Sequence, residues 1–274
     1  MPDYNLYDEW LEKQDYRNHK TEYKYYTDYS IGFLTRGCFR KCEFCVNKNY
    51  NKVMVHSPLS EFVREDRKKI CLLDDNFLGC SKWKELLTEL QQTKKPFQFK
   101  QGLDERILTD EKCKLLFSSK YDGDFIFAFD NIADKDLIVS KLKLIRKYTN
   151  KRIKFYVLCG FDRNDKWDYN FWKKDLFDLC ERIKILMSFD CVPYVMRFNR
   201  YVESPYRGFY ISITNWCNQP GLFRTMSYRQ FVEKRNELRK KGDGSDMRYM
   251  KQVIADIPEL EKYFDLTINN IFKT

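Results

Sequence analysis

The segment Thr35-Arg36-Gly37-Cys38-Phe39-Arg40-Lys41-Cys42-Glu43-Phe44-Cys45-Val46 directly follows the apolar run Tyr29-Ser30-Ile31-Gly32-Phe33-Leu34. The run reads as a strand, so its carboxyl end delivers three cysteines in a C-x3-C-x2-C spacing. With 10 Cys in 274 residues, about 0.01 such matches are expected by chance, so coincidence is a poor account. Three thiolates this close can wrap one loop around a soft metal centre, because sulfur favours iron–sulfur clusters and zinc over hard cations. Three ligands also leave one iron of a [4Fe–4S] cluster open to a further ligand. A structural zinc site usually has paired C-x2-C units or His partners. Here the only histidines are His19 and His56. A disulfide framework would need denser Cys and a secretory context.

Outward from this loop, apolar β-rich runs recur at 69–73, 97–100, 125–129, 153–158 and 192–198. Helical patterns lie between them. Ser57-Pro58 precedes a helix over 59–67, and Ser81 is placed to cap 82–92. Thr109-Asp110-Glu111 opens a third helix, with acids where the helix dipole favours them; 133–148 and 170–187 supply two more. Strands alternating with helices predict an α/β fold with parallel strands under helical cover, and such folds gather ligands at the strands' carboxyl ends. The expected organisation is an N-terminal extension at 1–28, a βα domain at 29–199 and a C-terminal extension at 200–274. That extension reads as loops and helices: one helix over 227–241, a breaker at Lys241-Gly242-Asp243-Gly244-Ser245, and a helical stretch over 246–264 interrupted at Pro258. It would close the barrel's open side or line a substrate cavity.

The cysteine spacing, with Phe44 before the third Cys, resembles the radical S-adenosylmethionine (radical SAM) superfamily. Gln101-Gly102-Leu103-Asp104-x-Arg106 together with Phe127-Ala128-Phe129-Asp130-Asn131 is similar to small radical SAM proteins of bacterial and phage type. The resemblance implies a partial (βα)6 barrel over 29–199. It also implies a [4Fe–4S] cluster on Cys38, Cys42 and Cys45, with S-adenosylmethionine on the fourth iron. Reductive cleavage would then give methionine and a 5′-deoxyadenosyl radical that takes hydrogen from a substrate; the cofactor carries that chemistry.

The same resemblance distributes roles along the strand ends. After the second strand, Asp74-Asp75-Asn76-Phe77 stands where many members carry Gly-Gly-Glu, and looks more like the cobalamin-type and methylthiotransferase branch. Asp74 or Asp75 would meet the cofactor's ammonium, or simply form a turn. Arg106 would clamp a carboxylate or pair with Asp104 or Glu105. Asp130 and Asn131 would take the ribose hydroxyls, and the Gly160 backbone the adenine. These groups and Phe44 are expected around one pocket. Arg197, Asn199, Arg200 and Trp216 are candidates for stacking and pairing with a substrate, or for a packed barrel end. Cys217 is a candidate hydrogen donor to a product radical, or a buried core thiol.

A 43% apolar and 17% aromatic composition supports a real core. No run approaches the ~20 apolar residues of a membrane span, and 1–28 lacks the apolar centre of a signal peptide. The expected compartment is cytoplasmic and reducing. A net charge of +10 favours a polyanionic partner such as nucleic acid or a nucleotide, although a Lys-rich composition gives the same balance. The leading expectation is a radical SAM oxidoreductase or transferase acting on a nucleotide or nucleic-acid base, reduced by a flavodoxin- or ferredoxin-like electron donor. Competing readings are a peptide- or protein-directed radical SAM enzyme, including a glycyl-radical activase, and a zinc-stabilised nucleic-acid-binding module without catalysis.

Overall fold

The computed structural model describes residues 3–14, 23–237 and 242–271. The chain divides into two compact units, Met1–Ile126 and Phe127–Thr274, with the division inside the 29–199 segment.

In the first unit, helices α1 (Tyr4–Glu12) and α2 (Lys24–Asp28) lead into strand β1 (Tyr29–Gly32). The strand is shorter than the expected 29–34. Past Gly32 the chain leaves the sheet, and β2 (Thr35–Arg36) pairs antiparallel with β3 (Met54–Val55). Helix α3 (Leu59–Phe62) is a single turn rather than 59–67. Val63 turns extended, and the next N–H, from Arg64, donates to Ser30 Oγ at 2.9 Å instead of to a helical carbonyl. Strand β4 (Lys69–Leu72), α4 (Trp83–Gln92) and β5 (Phe97–Phe99) follow. β1, β4 and β5 form a parallel sheet in that order, with Ile31 opposite Cys71 and Ile70 opposite Phe97. Ser81 does not cap α4; Lys82 holds the cap position without a side-chain bond. Thr109 does cap α5 (Asp110–Phe117), accepting from the Lys112 N–H.

Strand β6 (Phe125–Ala128) spans the division and heads a second sheet, ordered β6-β7-β8. In the second unit, a 3-10 turn at Ile132–Asp134 precedes α6 (Lys135–Tyr148), so the expected helix starts two residues late. β7 (Ile153–Cys159) buries every second residue, the period of a pleated strand. α7 (Tyr169–Ser188) returns the chain to β8 (Cys191–Arg197), parallel to β7 from Ile153–Cys191 to Cys159–Arg197. The β1-β4-β5 and β6-β7-β8 sheets are each open and three-stranded, and β2-β3 is a separate two-stranded pair.

Residues from 200 onward are more helical than the sequence suggested: α8 (Arg207–Cys217), α9 (Pro220–Thr225), α10 (Tyr228–Glu237), α11 (Ser245–Asp256) and α12 (Glu261–Phe264). The expected helix over 227–241 is described to Glu237, and residues 238–241, including Lys241 of the breaker, lie outside the described residues. Asn218, just after α8, returns its side chain to β8. Its Oδ1 accepts the Val195 N–H at 2.7 Å and its Nδ2 donates to the Val195 carbonyl at 3.0 Å. One amide therefore satisfies an edge-strand residue as another strand would.

Candidate cysteine-loop site

The loop carrying the three cysteines is closed at its neck by the β2–β3 pair. Gly37 begins it with φ +95, and a Cβ there would come within 2.5 Å of the Lys52 carbonyl oxygen; both observations require glycine. The loop is tied by its own lysines. Lys41 Nζ donates to the carbonyls of Lys48 at 2.8 Å and Tyr50 at 2.6 Å, and Lys48 Nζ to that of Glu43 at 2.6 Å. The Cys45 N–H closes a turn on the Cys42 carbonyl at 3.0 Å. Phe44 is half-buried between them.

Cys38, Cys42 and Cys45 are half-buried, whereas Cys71, Cys80, Cys113, Cys159, Cys180, Cys191 and Cys217 are buried. The Cys38 sulfur accepts the Arg40 N–H at 3.3 Å and an Asn76 Nδ2–H at 3.4 Å; the Cys45 sulfur accepts the Asn47 N–H at 3.4 Å. Accessible thiols on one loop, with N–H groups turned toward sulfur, are the donor chemistry an iron–sulfur cluster takes. Among the described residues, no three or more His, Cys, Asp or Glu side chains are gathered closely enough to hold a metal ion as they stand. His56 lies against Ser57 Oγ, and His19 lies outside the described residues.

The end of β4 supplies the floor of this site, where Asp74 takes the turn-forming role that was the alternative to ammonium binding. Its carboxylate is buried and accepts from Leu34 N at 3.2 Å, Thr35 N at 2.6 Å and Thr35 Oγ1 at 2.6 Å. It fixes the bend between β1 and β2. Burial pushes its pKa up to about 6 against the lowering effect of those three bonds. Asp75 accepts the Gly37 N–H at 2.9 Å and so holds the entrance of the loop. Asn76 is buried, bonded to Cys38 and, through the same Nδ2, to Asp104 at 3.2 Å.

Asp104, read in the sequence only as a neighbour of Arg106, is the hub of this floor. Arg40 Nε and Arg106 Nε each donate to it at 2.8 Å. Burial alone would raise its carboxyl, but the two guanidinium bonds win and hold it below the ordinary range. Arg106 is thus engaged by Asp104, with Glu105 at 3.9 Å, rather than held open as a clamp. The motif Gln-Gly-Leu-Asp-x-Arg contained the hub; its partner Arg40, from the cysteine loop, had no local signal.

The second unit holds the other expected residues, mostly in internal roles. Asp130 Oδ1 accepts the Leu158 N–H at 2.9 Å, extending the sheet past β6. Asn131 caps the turn after it, accepting from Ala133 N at 3.0 Å. Gly160 has φ +75; its N–H donates to Asp175 Oδ2 at 2.8 Å and its carbonyl accepts the Trp167 indole N–H at 3.1 Å. These bonds tie the Gly160 backbone to Asp175 and Trp167. Arg197 lies over the Tyr201 ring, and Arg200 lies over Trp167 and pairs with Glu203. Asn199 is exposed. Gly160, Arg197 and Arg200 are therefore brought together around Trp167 and Tyr201, a pair the sequence reading missed.

Trp216 and Cys217 are packed core. Trp216 is buried against Phe223 and Tyr228, with its indole N–H on the Met226 carbonyl. Cys217 is 0% exposed, and burial drives its thiol well above its ordinary pKa; the buried-thiol alternative describes it. Arg182, in the middle of α7, also escaped notice. It is buried and donates from Nη1 to the carbonyls of Phe129, Asp130 and Leu158 at 2.8–3.1 Å, binding the ends of β6 and β7 together. The chain matches no protein-family model and no curated protein.

Proposed function

We propose that this chain is a radical SAM enzyme whose [4Fe–4S] cluster is held by Cys38, Cys42 and Cys45, and that its two open sheets belong to a partial (βα)6 barrel. The observation that carries the reading is the contrast among the 10 cysteines: the three at C-x3-C-x2-C spacing are the half-buried ones, on a loop past a strand end. Bound there, the cluster and S-adenosylmethionine supply one-electron reductive cleavage of a sulfonium bond.

The protein's own contribution is positioning. Asp75 and Gly37 set the loop's entrance, Lys41 and Lys48 brace its span, and Asn76, Arg40, Asp104 and Arg106 form a polar floor beside Cys38. The substrate class we favour is a nucleotide or nucleic-acid base, supported by the net charge of +10. We assign the reaction to the cytoplasm, with an external low-potential electron donor; among the described residues no helix is long and apolar enough to cross a membrane.

Anaerobic purification tests the reading. A brown protein with about four irons per chain, releasing 5′-deoxyadenosine from S-adenosylmethionine under strong reductant, is the expected result. Zinc in place of iron would transfer the chain to the non-catalytic binding class. An intact cluster without cofactor cleavage would sink the radical assignment.

A further inference from the structure

Cys38 has a donor set that the spacing motif does not foreshadow. Its sulfur accepts one backbone N–H, from Arg40 at 3.3 Å, and one side-chain N–H, from Asn76 at 3.4 Å. Asn76 is 3% exposed, so its amide orientation is set by protein groups rather than water. The same Nδ2 donates to Asp104 Oδ2 at 3.2 Å. An ionised carboxylate only accepts, and Asp104 is kept ionised by Arg40 and Arg106. The nitrogen must therefore face Asp104, which brings its second hydrogen to the Cys38 sulfur.

The opposite orientation is disfavoured twice. Turning the amide over would aim its oxygen at a carboxylate and a sulfur, both electron-rich, and would remove both hydrogen bonds. The cost of the observed orientation is visible on the far side, where the buried Asn76 Oδ1 has no hydrogen-bond partner and faces Gly79. An orphaned buried oxygen is tolerated because the two bonds on the nitrogen side are charge-assisted or directed at sulfur.

We infer that Asn76 is a positioning residue for Cys38: locked by Asp104, it directs an N–H at the sulfur and sets the electron density that a bound cluster meets there. The inference rests on the cluster reading above. A hydrogen bond to a ligating sulfur stabilises the more negative, reduced state, so it raises the reduction potential. Cys45 receives a backbone N–H, from Asn47, which no side-chain substitution removes. At Cys38, Asn76 is thus a point at which a single substitution removes an N–H donor from a cluster sulfur.

The test is redox titration of the anaerobically reconstituted full-length protein, monitored by electron paramagnetic resonance, with iron analysis alongside. Asn76→Leu should keep the iron content of the wild type but lower the potential. We expect about a tenfold fall in the reduced-to-oxidised ratio at fixed potential, equivalent to about 59 mV for one electron. Asn51→Leu, exposed on the same loop, should leave the potential unchanged. If Asn76→Leu does not fold, wild-type protein labelled with nitrogen-15 only at asparagine side-chain amides decides the matter. Pulsed resonance of the reduced cluster should show coupling to that nitrogen. An unchanged potential in Asn76→Leu, or no coupling in the labelled wild type, overturns the inference while leaving the cluster intact. Wild-type protein without iron overturns the cluster reading, and this inference with it.

Discussion

Asp74 concentrates the structural logic of the site in one side chain. Its two oxygens satisfy three donors at the bend between β1 and β2, so Asp74→Ala leaves three buried donors unpaired. We expect a loss of about 3 kcal/mol or more, measured by urea unfolding. The carboxylate also couples stability to pH. Its folded pKa is raised from 3.8 to about 6, so the native state holds its proton more tightly than the unfolded chain. The resulting stabilisation is complete below the unfolded value and is lost as pH rises through about 6. Relative to Asp74→Asn, wild-type protein should lose about 2 kcal/mol between pH 4 and 7; parallel stability curves would show that the hydrogen bonds outweigh burial. The cysteines separate along the same line of burial and access. Cys38→Ala, Cys42→Ala and Cys45→Ala should each abolish the cluster, while Cys71→Ala and Cys217→Ala should keep the wild-type iron content; retained cluster absorbance in any of the first three removes that residue from the ligand set.

At the scale of elements, the strands were legible because apolar runs bounded by turn residues leave few alternatives. All six expected βα strands form, five of them within one residue at either end. The exception, β1, stops early because Asp74 and the β2–β3 pair draw the chain away from the sheet, and neither long-range partner has a local signal. The helix expected over 59–67 failed for a similar reason, since Ser30 captures an N–H from 34 residues away. Candidate ligands at strand ends were legible as positions, and the structure adds the internal bonds that hold them there. Asp74, Asp130 and Gly160 do sit there, and their hydrogen bonds close the fold. The cysteine spacing was legible because a motif within one loop is local, and the Asp104–Arg106 pair was one of two readings open to Arg106; Arg40 had no local signal because it joins that pair from another loop. Asn218 offers the element-scale prediction. Asn218→Ala removes both bonds to Val195 at the edge of β8 and should cost about 1–3 kcal/mol. Asn218→Asp keeps the acceptor and should fall between; equal stability of all three proteins would mean that water replaces the amide.

For the whole molecule, the decisive quantity is where the net charge of +10 lies. Residues 36–52 hold Arg36, Arg40, Lys41, Lys48 and Lys52 against a single acid, Glu43. Arg40 is neutralised by Asp104, but Lys41 and Lys48 are braced on carbonyl oxygens, which fix the ammonium groups without cancelling their charge. Arg36 lies over the Phe33 ring at 3.9 Å, again without loss of charge. Positive charge thus surrounds the proposed reaction centre, while Lys84 and Lys174 face Glu111 and Asp178. The exposed apolar side chains nearby, Val46, Met54 and Val55, are fewer than the apolar centre of a protein interface requires. If the substrate is nucleic acid, a single-stranded RNA oligonucleotide should bind with log K falling against log salt at a slope of about −2 to −3, the value for three or four neutralised phosphates. Lys41→Glu with Lys48→Glu should weaken binding about tenfold or more, because two phosphate contacts become repulsions. Lys84→Glu with Lys174→Glu makes the same change in net charge and should cost about twofold or less, since only the long-range field is altered. Equal losses in the two double variants would mean that the chain attracts RNA only as a basic protein does, and would remove charge as support for a nucleic-acid substrate.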